Sequence, residues 1–264
     1  MLDIVKISKT FNPGTINEKK ALDALSLNLK EGDFVTVIGG NGAGKSTLLN
    51  AIAGVWPVDE GSITLAGENI TGLPEYKRAK LIGRVFQDPM MGTAADMWIE
   101  ENLALALRRG QKRRLKWMVT KQEREMYREK LKDLGLGLED RLQVKVGLLS
   151  GGQRQALTLL MASLQKPQLL LLDEHTAALD PATAAKVLEL SDKIVSESKL
   201  TTLMITHNMT DAIRHGNRLI MMNEGKIILD IEGEEKKHLT KKELLDKFAL
   251  VSGKQEETDA VLLS

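Results

Sequence analysis

The sequence contains no cysteine, and this absence excludes disulfide bridges and thiolate metal sites. It has almost no net charge, because 37 basic residues stand against 36 acidic ones, so no overall field favours nucleic acid or a lipid surface. No apolar run approaches the about 20 residues that cross a bilayer, and the first residues lack the basic start and apolar stretch of a signal peptide. We therefore expect a cytoplasmic chain that has no nucleic-acid partner.

The sequence does have a glycine-rich stretch, GGNGAGKST at positions 39–47, that fits the phosphate-loop pattern G-x-x-x-x-G-K-[ST]. The β-branched run Phe34–Ile38 before it predicts a strand, and Ser46–Ala53 after it predicts a helix. Glycines let successive backbone N–H groups converge on one phosphate, and the helix start adds further donors. We expect Lys45 to neutralise phosphate charge and the Ser46 hydroxyl to bind Mg²⁺. The nucleotide-binding positions predicted in this stretch are Gly39, Asn41, Gly42, Ala43, Gly44, Lys45, Ser46 and Thr47.

Two acidic residues follow the most apolar strand that the sequence predicts. The run Leu169–Leu172 is continuously aliphatic, as in a strand buried on both faces, and Asp173 and Glu174 come directly after it. Open α/β sheets bind their ligands at the carboxyl ends of the strands. A phosphate-loop enzyme needs one carboxylate to hold Mg²⁺ and can use another to orient and deprotonate the attacking water. We predict Asp173 as a metal ligand and Glu174 as the general base.

The stretch Leu149–Gln153, LSGGQ, resembles the signature motif of the ATP-binding cassette (ABC) ATPases, and it stands between the phosphate loop and the acidic pair as it does in that family. The resemblance extends over residues 2–229. Four single residues match family positions in the same order, namely Phe11 at the aromatic that stacks on adenine, Gln87 in the Q-loop, Asp180 in the D-loop and His207 at the switch histidine.

The resemblance implies specific roles for these residues. Catalysis is expected of Glu174, His207 and Lys45, with His207 contacting the γ-phosphate of ATP. Phe11 and Gln87 are expected to join the ATP-binding positions of the phosphate loop. The implied Mg²⁺ ligands are Ser46, Gln87 and Asp173.

The resemblance also implies an α/β fold, with a P-loop NTPase (RecA-like) core of mostly parallel sheet, an N-terminal antiparallel β subdomain and an inserted α-helical subdomain. The expected ATPase domain covers residues 1–230, with the helical subdomain at about 88–165, and a polar C-terminal extension covers residues 231–264. Apolar positions at helical spacing between Ile99 and Leu134 support a helical insert. Residues 108–128 of the insert hold nine basic residues against two glutamates, which we interpret as a solvated helix face or as a contact with an acidic surface.

The signature stretch predicts a second phosphate-binding surface, because Ser150 and two glycines precede another predicted helix. By the resemblance, the two surfaces of one chain do not share a nucleotide. The expected partner is therefore a second ATPase subunit, another copy of this chain, in a head-to-tail twofold dimer that binds two ATP molecules. The residues expected to act in trans are Ser150, Gly151, Gly152 and Gln153.

The stretch GRVFQDPMMGT at positions 83–93, and His175 where many members have a proline, resemble a subgroup of importer ATPases. The implied partners are membrane permease subunits of the branched-chain-amino-acid type and, indirectly, an extracytoplasmic substrate-binding lipoprotein. The implied cargo is a small solute such as an aromatic amino acid, and the implied location is the inner face of the cell membrane. We interpret His175 as a replacement for a turn residue, since its family counterpart carries no proton chemistry.

Two alternatives stay open. A soluble ABC ATPase of an assembly or metabolic complex would share every ATP residue, and its partner would distinguish it from a transporter subunit. A P-loop kinase or GTPase would not need the stretch Leu149–Gln153.

Overall fold

The computed structural model describes residues 1–111 and 119–252, which form two compact units. The first unit comprises Met1–Arg78 and the chain from Lys199 onward, and the second comprises Ala79–Ser198. Within the described residues, no helix has both the length and the apolar character needed to cross a membrane. The domain bounds expected from the sequence stay a prediction.

The strands are β1 (Leu2–Phe11), β2 (Lys19–Leu29), β3 (Phe34–Ile38), β4 (Glu60–Leu65), β5 (Glu68–Asn69), β6 (Ile82–Val85), β7 (Leu169–Asp173), β8 (Thr201–Ile205), β9 (Arg218–Asn223) and β10 (Lys226–Glu232). The helices are α1 (Lys45–Ala53), α2 (Glu75–Arg78), α3 (Ile99–Leu107), α4 (Lys121–Lys132), α5 (Gly151–Ser163), α6 (Pro181–Ser198), α7 (Met209–Arg214), α8 (Gly233–Lys237) and α9 (Lys241–Ser252), with a 3₁₀ turn at Val146–Leu148. The predicted alternation of strands and helices is confirmed.

The first unit contains an antiparallel sheet in the order β2-β1-β4-β5, as expected for the N-terminal part. The same unit also contains strands of a second sheet, in which β3 pairs in parallel with both β8 and β9. In that sheet β10 pairs antiparallel with β9. The hairpin between β9 and β10 turns at Glu224 and Gly225, which both have positive φ, as a two-residue turn that matches the strand twist requires. The parallel strands explain why β3, which leads into the phosphate loop, is completely buried.

One strand begins earlier than the sequence pattern predicts. The pattern predicts Ala24–Leu29, whereas β2 begins at Lys19. The ladder between β1 and β2 shifts register near Ala24, whose φ is +46°. Such a bulge breaks the alternation of apolar and polar residues, and this break concealed the first part of the strand.

The described part of the C-terminal extension, residues 231–252, is amphipathic and contributes to the core of the first unit. The sequence predicts a helix at 241–248, and the structure contains it as α9, which continues to Ser252. Its residues Leu244 and Phe248 are buried in a cluster with Ile38 and Met209. The extension thus belongs to the core that supports the end of β3, although its overall composition is polar.

The second unit contains the parallel pair β6 and β7 and the helices α3 to α6. A continuous apolar core joins α3, α4 and α5 through residues such as Leu103, Leu131 and Leu157. The predicted helical insert is therefore confirmed for α3 and α4. Two of its predicted apolar positions, Leu115 and Met118, lie outside the described residues.

Several basic residues of the stretch 108–128 are paired within the second unit. Arg124 donates two hydrogen bonds, of 2.6 and 2.7 Å, to Glu100, and Arg108 pairs with Glu123 at 2.7 Å. These pairs fit a solvated helix face that is internally neutralised. For residues 112–118, which are not described, both interpretations of the basic stretch stay open.

Candidate active site

The phosphate loop turns sharply after β3 because three of its glycines adopt conformations that other residues avoid. Gly39, Gly42 and Gly44 have φ values of 152°, 80° and 100°. A β-carbon on Gly39 would clash with the carbonyl oxygen of Met222. Gly44 is the residue before α1, and its carbonyl accepts the first helical hydrogen bond, from Leu48 N–H at 2.8 Å. The loop thus leads directly to unpaired N–H groups at the helix start.

Lys45 lies at the centre of this loop. Its side chain is 7% exposed, and its ammonium donates hydrogen bonds to the carbonyl oxygens of Gly39 at 2.7 Å and Gly40 at 3.1 Å. These contacts hold the positive charge against the concave backbone of the loop, where a phosphate would be bound. Ser46 follows in the first turn of α1 and is exposed, so its hydroxyl is accessible to a ligand.

Phe11 ends β1 as part of an aromatic and charged cluster. Its ring meets Trp56 edge-to-face, with centroids 5.0 Å apart and planes at 80°. Lys9 Nζ lies 5.8 Å from the Phe11 centroid and pairs with Asp59 at 2.8 Å. The hydrogen bond from Lys9 lowers the pKa of the Asp59 carboxyl. Trp56 and Lys9 therefore orient the ring that the sequence predicts to stack on adenine.

His207 lies at the same end of the first unit's parallel strands as the phosphate loop. β8 runs parallel to β3, and Thr206 N–H donates to the Val37 carbonyl at 3.1 Å. His207 is exposed, and Asn208 after it caps α7 through bonds to Thr210 and Asp211 N–H. Of the predicted site residues, the first unit thus brings together His207 and the phosphate loop.

Asp173 ends β7 and Gln87 follows β6, and these two strands of the second unit are paired. Val85 is opposite Leu172 in the parallel ladder, so both side chains lie at its carboxyl end. Asp173 Oδ2 accepts a hydrogen bond from Arg84 Nη2 at 3.1 Å. Arg84 also lies over the ring of Phe86, 4.5 Å from its centroid. Sequence reasoning missed Arg84, although an arginine in the short apolar strand IGRV was a visible signal.

Glu174 occupies a strained backbone position directly after β7. Its φ is +43°, in the left-handed region that non-glycine residues seldom adopt, and such strain is concentrated at functional sites. Its carbonyl accepts the N–H of Ala177 at 3.0 Å, so the chain turns at once. His175 in this turn is 2% exposed, and its Nε2 lies 2.9 Å from Ser191 Oγ on α6. Because Ser191 Oγ–H donates to Val187 O, the imidazole donates to Ser191.

The signature stretch forms a capped helix start. Ser150 Oγ accepts the N–H of Gln153 at 3.3 Å, and Gln153 Oε1 accepts the N–H of Ser150 at 3.3 Å. This reciprocal capping box satisfies the N–H groups of Ser150 and Gln153, while Ser150 and Gly151 are exposed at the beginning of α5. A β-carbon on Gly152 would clash with Thr183 Cγ2 of α6, so the glycine permits close packing of the two helices.

Asp180, the predicted D-loop residue, lies at the start of α6. Its Oδ1 accepts the N–H of Thr183 at 3.1 Å. Hydrogen bonds from the side chain and backbone of Thr183 lower the pKa of the Asp180 carboxyl. A charged aspartate is also favoured at a helix N-terminus by the helix dipole. The second unit thus brings the signature stretch and the D-loop together through α5 and α6.

Comparison with known proteins agrees with this geometry. Residues 22–177 match the family described as ABC transporter, which is more than half of the chain. The chain belongs to this family. The ABC ATPase described here is 48% identical over 249 residues to the tyrosine transport ATP-binding protein of Clostridioides difficile, covering 94% of this chain and 98% of that protein. It is 33% identical to the methionine import ATP-binding protein MetN of Clostridium tetani, covering 93% of this chain and 76% of MetN.

Solved ABC cassettes share the fold. One is MJ0796, solved as a dimer bound to ADP and Pi, with 30% identity, a TM-score of 0.75, and coverage of 88% of this chain and 98% of that one. Another is MJ1267 in its ADP conformation, with 28% identity, a TM-score of 0.77, and coverage of 94% and 98%. The α/β fold of a P-loop NTPase is confirmed, and this ABC ATPase hydrolyses ATP.

The residues predicted to bind Mg²⁺ in this ABC ATPase fit that ion chemically. Ser46, Gln87 and Asp173 offer hydroxyl, amide and carboxylate oxygens, which are the hard donors that Mg²⁺ prefers. Arg84 pairs with only one carboxylate oxygen of Asp173. Among the described residues, no cluster of three His, Cys, Asp or Glu forms an all-protein metal cage. The donor set suits an ion that also takes substrate phosphate oxygens and water.

Two further residues of the ABC ATPase support the signature stretch, and sequence reasoning missed both. The Arg154 guanidinium is buried and donates to the carbonyl oxygens of Val146 and Gly147, which precede the signature. Gln155 is fully buried, and its Nε2 donates to the Phe86 carbonyl at 3.1 Å. Gln155 thereby joins the signature helix to the residue before Gln87. Polar residues in a predominantly apolar helix were the available signal.

Proposed function

We propose that this ABC ATPase powers an importer as a head-to-tail pair of identical subunits that binds two ATP molecules. The observation that carries this proposal is that one chain holds two helix starts suited to anions, at Lys45 and after Ser150. In the proposed dimer, each phosphate loop faces the signature of the other copy. Support comes from MJ0796, whose solved structure is dimeric.

The proposed chemistry divides the work of hydrolysis among the chain's own residues. Lys45 neutralises charge on the β- and γ-phosphates, while Glu174 orients a water and accepts its proton as the water attacks the γ-phosphorus. The bond between that phosphorus and the bridging oxygen breaks, and ADP leaves. His207 contacts the γ-phosphate.

Ser46, Gln87 and Asp173 would hold the Mg²⁺, which when bound neutralises phosphate charge as it develops. The remaining ATP contacts are proposed from the motif positions. They comprise the stacking ring of Phe11 and the loop residues Gly39, Asn41, Gly42, Ala43, Gly44 and Thr47.

The signature contributes from the second copy in this proposal. The Ser150 hydroxyl and the N–H groups of Gly151 and Gly152 would donate to the γ-phosphate in trans, while Gln153 holds the helix start in shape through its capping box with Ser150. Asp180 caps the start of α6, and Thr183 of that helix lies against Gly152 of this stretch. Since each site draws on two chains, binding of ATP closes the pair and hydrolysis releases it.

The cargo proposal rests on the relatives. We propose that the pair drives permease subunits at the inner face of the cell membrane, with an extracytoplasmic binding protein that delivers a small solute. The relative named for tyrosine transport is 48% identical, and MetN, named for methionine import, is 33% identical. An amino acid, and an aromatic one first, is therefore the proposed cargo.

The experiment is a base-deletion variant tested for oligomeric state. Glu174→Gln removes the general base and keeps ATP binding, so hydrolysis stops and an ATP-bound dimer accumulates. Size-exclusion chromatography with light scattering, with and without Mg-ATP, measures the dimer. A variant that stays monomeric at high protein and ATP concentration contradicts the shared site. Gentle extraction of membranes that contain the tagged subunit then tests the transporter proposal. We expect a polytopic permease to co-purify with the subunit, and co-purification of a soluble complex instead would overturn the importer proposal.

A further inference from the structure

We propose that Lys19 is a second lysine of the nucleotide site, which binds the phosphate chain of ATP from strand β2. This inference rests on the role of the phosphate loop in the proposed function, and it adds a residue that lies outside every motif in the sequence. It concerns the first unit alone, which contains β2, the phosphate loop and Phe11.

The distances place the start of β2 against the phosphate loop. A β-carbon built on Gly42 would lie 2.9 Å from Lys19 Nζ. Two residues further along the strand, a β-carbon on Gly44 would lie 2.5 Å from the carbonyl oxygen of Ala21. β2 therefore follows the loop from Gly42 to Gly44, and the ammonium of Lys19 lies directly against the loop backbone. Gly42 has a φ of +80°, which favours glycine, and a side chain there would also displace that ammonium.

The pairing of β2 with β1 places Lys19 on the side of the nucleotide base. Lys19 is directly opposite Phe11 in the antiparallel ladder. Residues directly opposite each other project from the same face of the sheet. Lys19 thus projects from the same face as the ring proposed to stack on adenine, and its ammonium lies against the loop proposed to bind the phosphates. This is the position that a contact with the phosphate chain of ATP requires.

No carboxylate in the described part of the chain neutralises the charge of Lys19. Among residues 1–111 and 119–252, no carboxylate forms an ion pair with it. Its neighbour Lys20 differs, because Lys20 pairs with Asp23, which also accepts Lys226 at 2.9 Å. Neighbouring residues of a strand face opposite ways, so Lys20 points away from the loop face. An ammonium without a counter-charge beside an anion-binding loop is a ready partner for a polyphosphate.

The test measures the affinity of the full-length protein for ATP, ADP and adenosine by calorimetry. Lys19→Met is compared with Lys20→Met, a matched loss of one charge at the next residue. We expect Lys19→Met to bind ATP and ADP about five- to tenfold more weakly, as for the loss of one charged contact, and adenosine normally. Lys20→Met should stay within about twofold of the wild type, and Lys19→Arg should keep most of the affinity.

Two results would overturn the proposal. One is equal ATP affinity of Lys19→Met and Lys20→Met, and the other is a parallel loss for adenosine, which would indicate a disturbed base site. Thermal unfolding without nucleotide checks that Lys19→Met folds, and Lys19→Arg tests the charge if it does not. The variant Lys45→Ala separates the role of Lys19 from the phosphate-loop assignment on which it rests. Normal ATP binding by Lys45→Ala would refute the phosphate-loop assignment. Weak ATP binding by Lys45→Ala together with normal ATP binding by Lys19→Met would refute only the role of Lys19.

Discussion

At the scale of single residues, the Asp173 carboxylate is held by an arginine that belongs to no motif. Arg84 and Asp173 are largely buried, with side chains 13% and 15% exposed. An ion pair in such surroundings is costly to break, because removal of one partner leaves the other charge without compensation. Arg84 therefore fixes the direction of the carboxylate proposed to bind Mg²⁺, and leaves one of its oxygens to the metal.

We predict that Arg84→Met lowers the free energy of unfolding by about 2–4 kcal/mol, because it leaves the largely buried carboxylate of Asp173 without a counter-charge. Asp173→Asn should also destabilise, and the double variant should lose less than the sum of the two. Urea unfolding of the four proteins without nucleotide measures the coupling. Lys132→Met is the control, because both side chains of the Lys132–Glu129 pair are exposed, and such a pair contributes little to stability. If the effects of the two single substitutions simply add in the double variant, the ion pair between Arg84 and Asp173 does not contribute to stability.

A second residue-scale prediction concerns the ionisation of Asp180. Its pKa is lowered chiefly by the Thr183 side chain, so its carboxylate stabilises the fold above the unfolded-state pKa, and this stabilisation is lost as pH falls through the lower folded-state pKa. We expect Thr183→Ala to raise the Asp180 pKa towards the ordinary aspartate value, while the backbone N–H bond persists. Carboxyl ¹³C chemical shifts titrated by NMR measure it, and an unchanged pKa would refute the assigned cause.

The motif residues could be predicted from the sequence because their chemistry dictates their spacing. Gly39 and Gly44 are needed for backbone conformations that the structure contains, and Phe34–Ile38 forms a strand with the predicted bounds. A local pattern can mark Arg84 as an unusual charge in an apolar strand, but neither its role nor the one proposed for Lys19 can be assigned from it, because their partners are distant in the chain. His175 could be read as a turn residue, but its bond to Ser191 depends on the packing of α6.

At the scale of elements, the close packing of α5 on α6 determines which glycine of the signature can be replaced. Gly152 is in the first turn of α5, where alanine would favour the helix by about 1 kcal/mol. The clash with Thr183 opposes this gain, and overpacking costs about 1–3 kcal/mol. Gly151 has only an ordinary contact, because its β-carbon would lie 3.4 Å from Leu179 Cδ2.

We predict that Gly152→Ala lowers the unfolding temperature and that Thr183→Ser in the same chain restores most of the loss. Serine lacks the clashing methyl group and keeps the hydroxyl that binds Asp180. Gly151→Ala is the matched control and should be neutral or slightly stabilising. Differential scanning calorimetry of these three variants and of the wild type measures the effect. If Thr183→Ser does not restore the unfolding temperature of Gly152→Ala, the clash with the Thr183 methyl group is not the cause of the destabilisation.

At the scale of the whole molecule, the sequence predicts the fold class well because alternating strands and helices leave few arrangements. It predicts the extension 231–264 less well, since the buried face of α9 contributes only a few apolar residues to a polar segment. Assembly is a further step. In the proposed dimer, the helix starts at Lys45 and after Ser150 form one catalytic site only where two copies meet, and this proposed dependence can be tested without a structure of the dimer.

The decisive prediction mixes two inactive variants. Lys45→Ala damages the phosphate loop, and Gly151→Asp places a negative charge in the signature, so each pure variant has two defective sites per dimer. In a mixed dimer both defects fall on one shared site, and the other site is intact. If the sites act independently, an equal mixture should recover about a quarter of wild-type ATPase activity, because about half of the dimers are mixed. A mixture no more active than the average of its two components would show that each chain completes its own site.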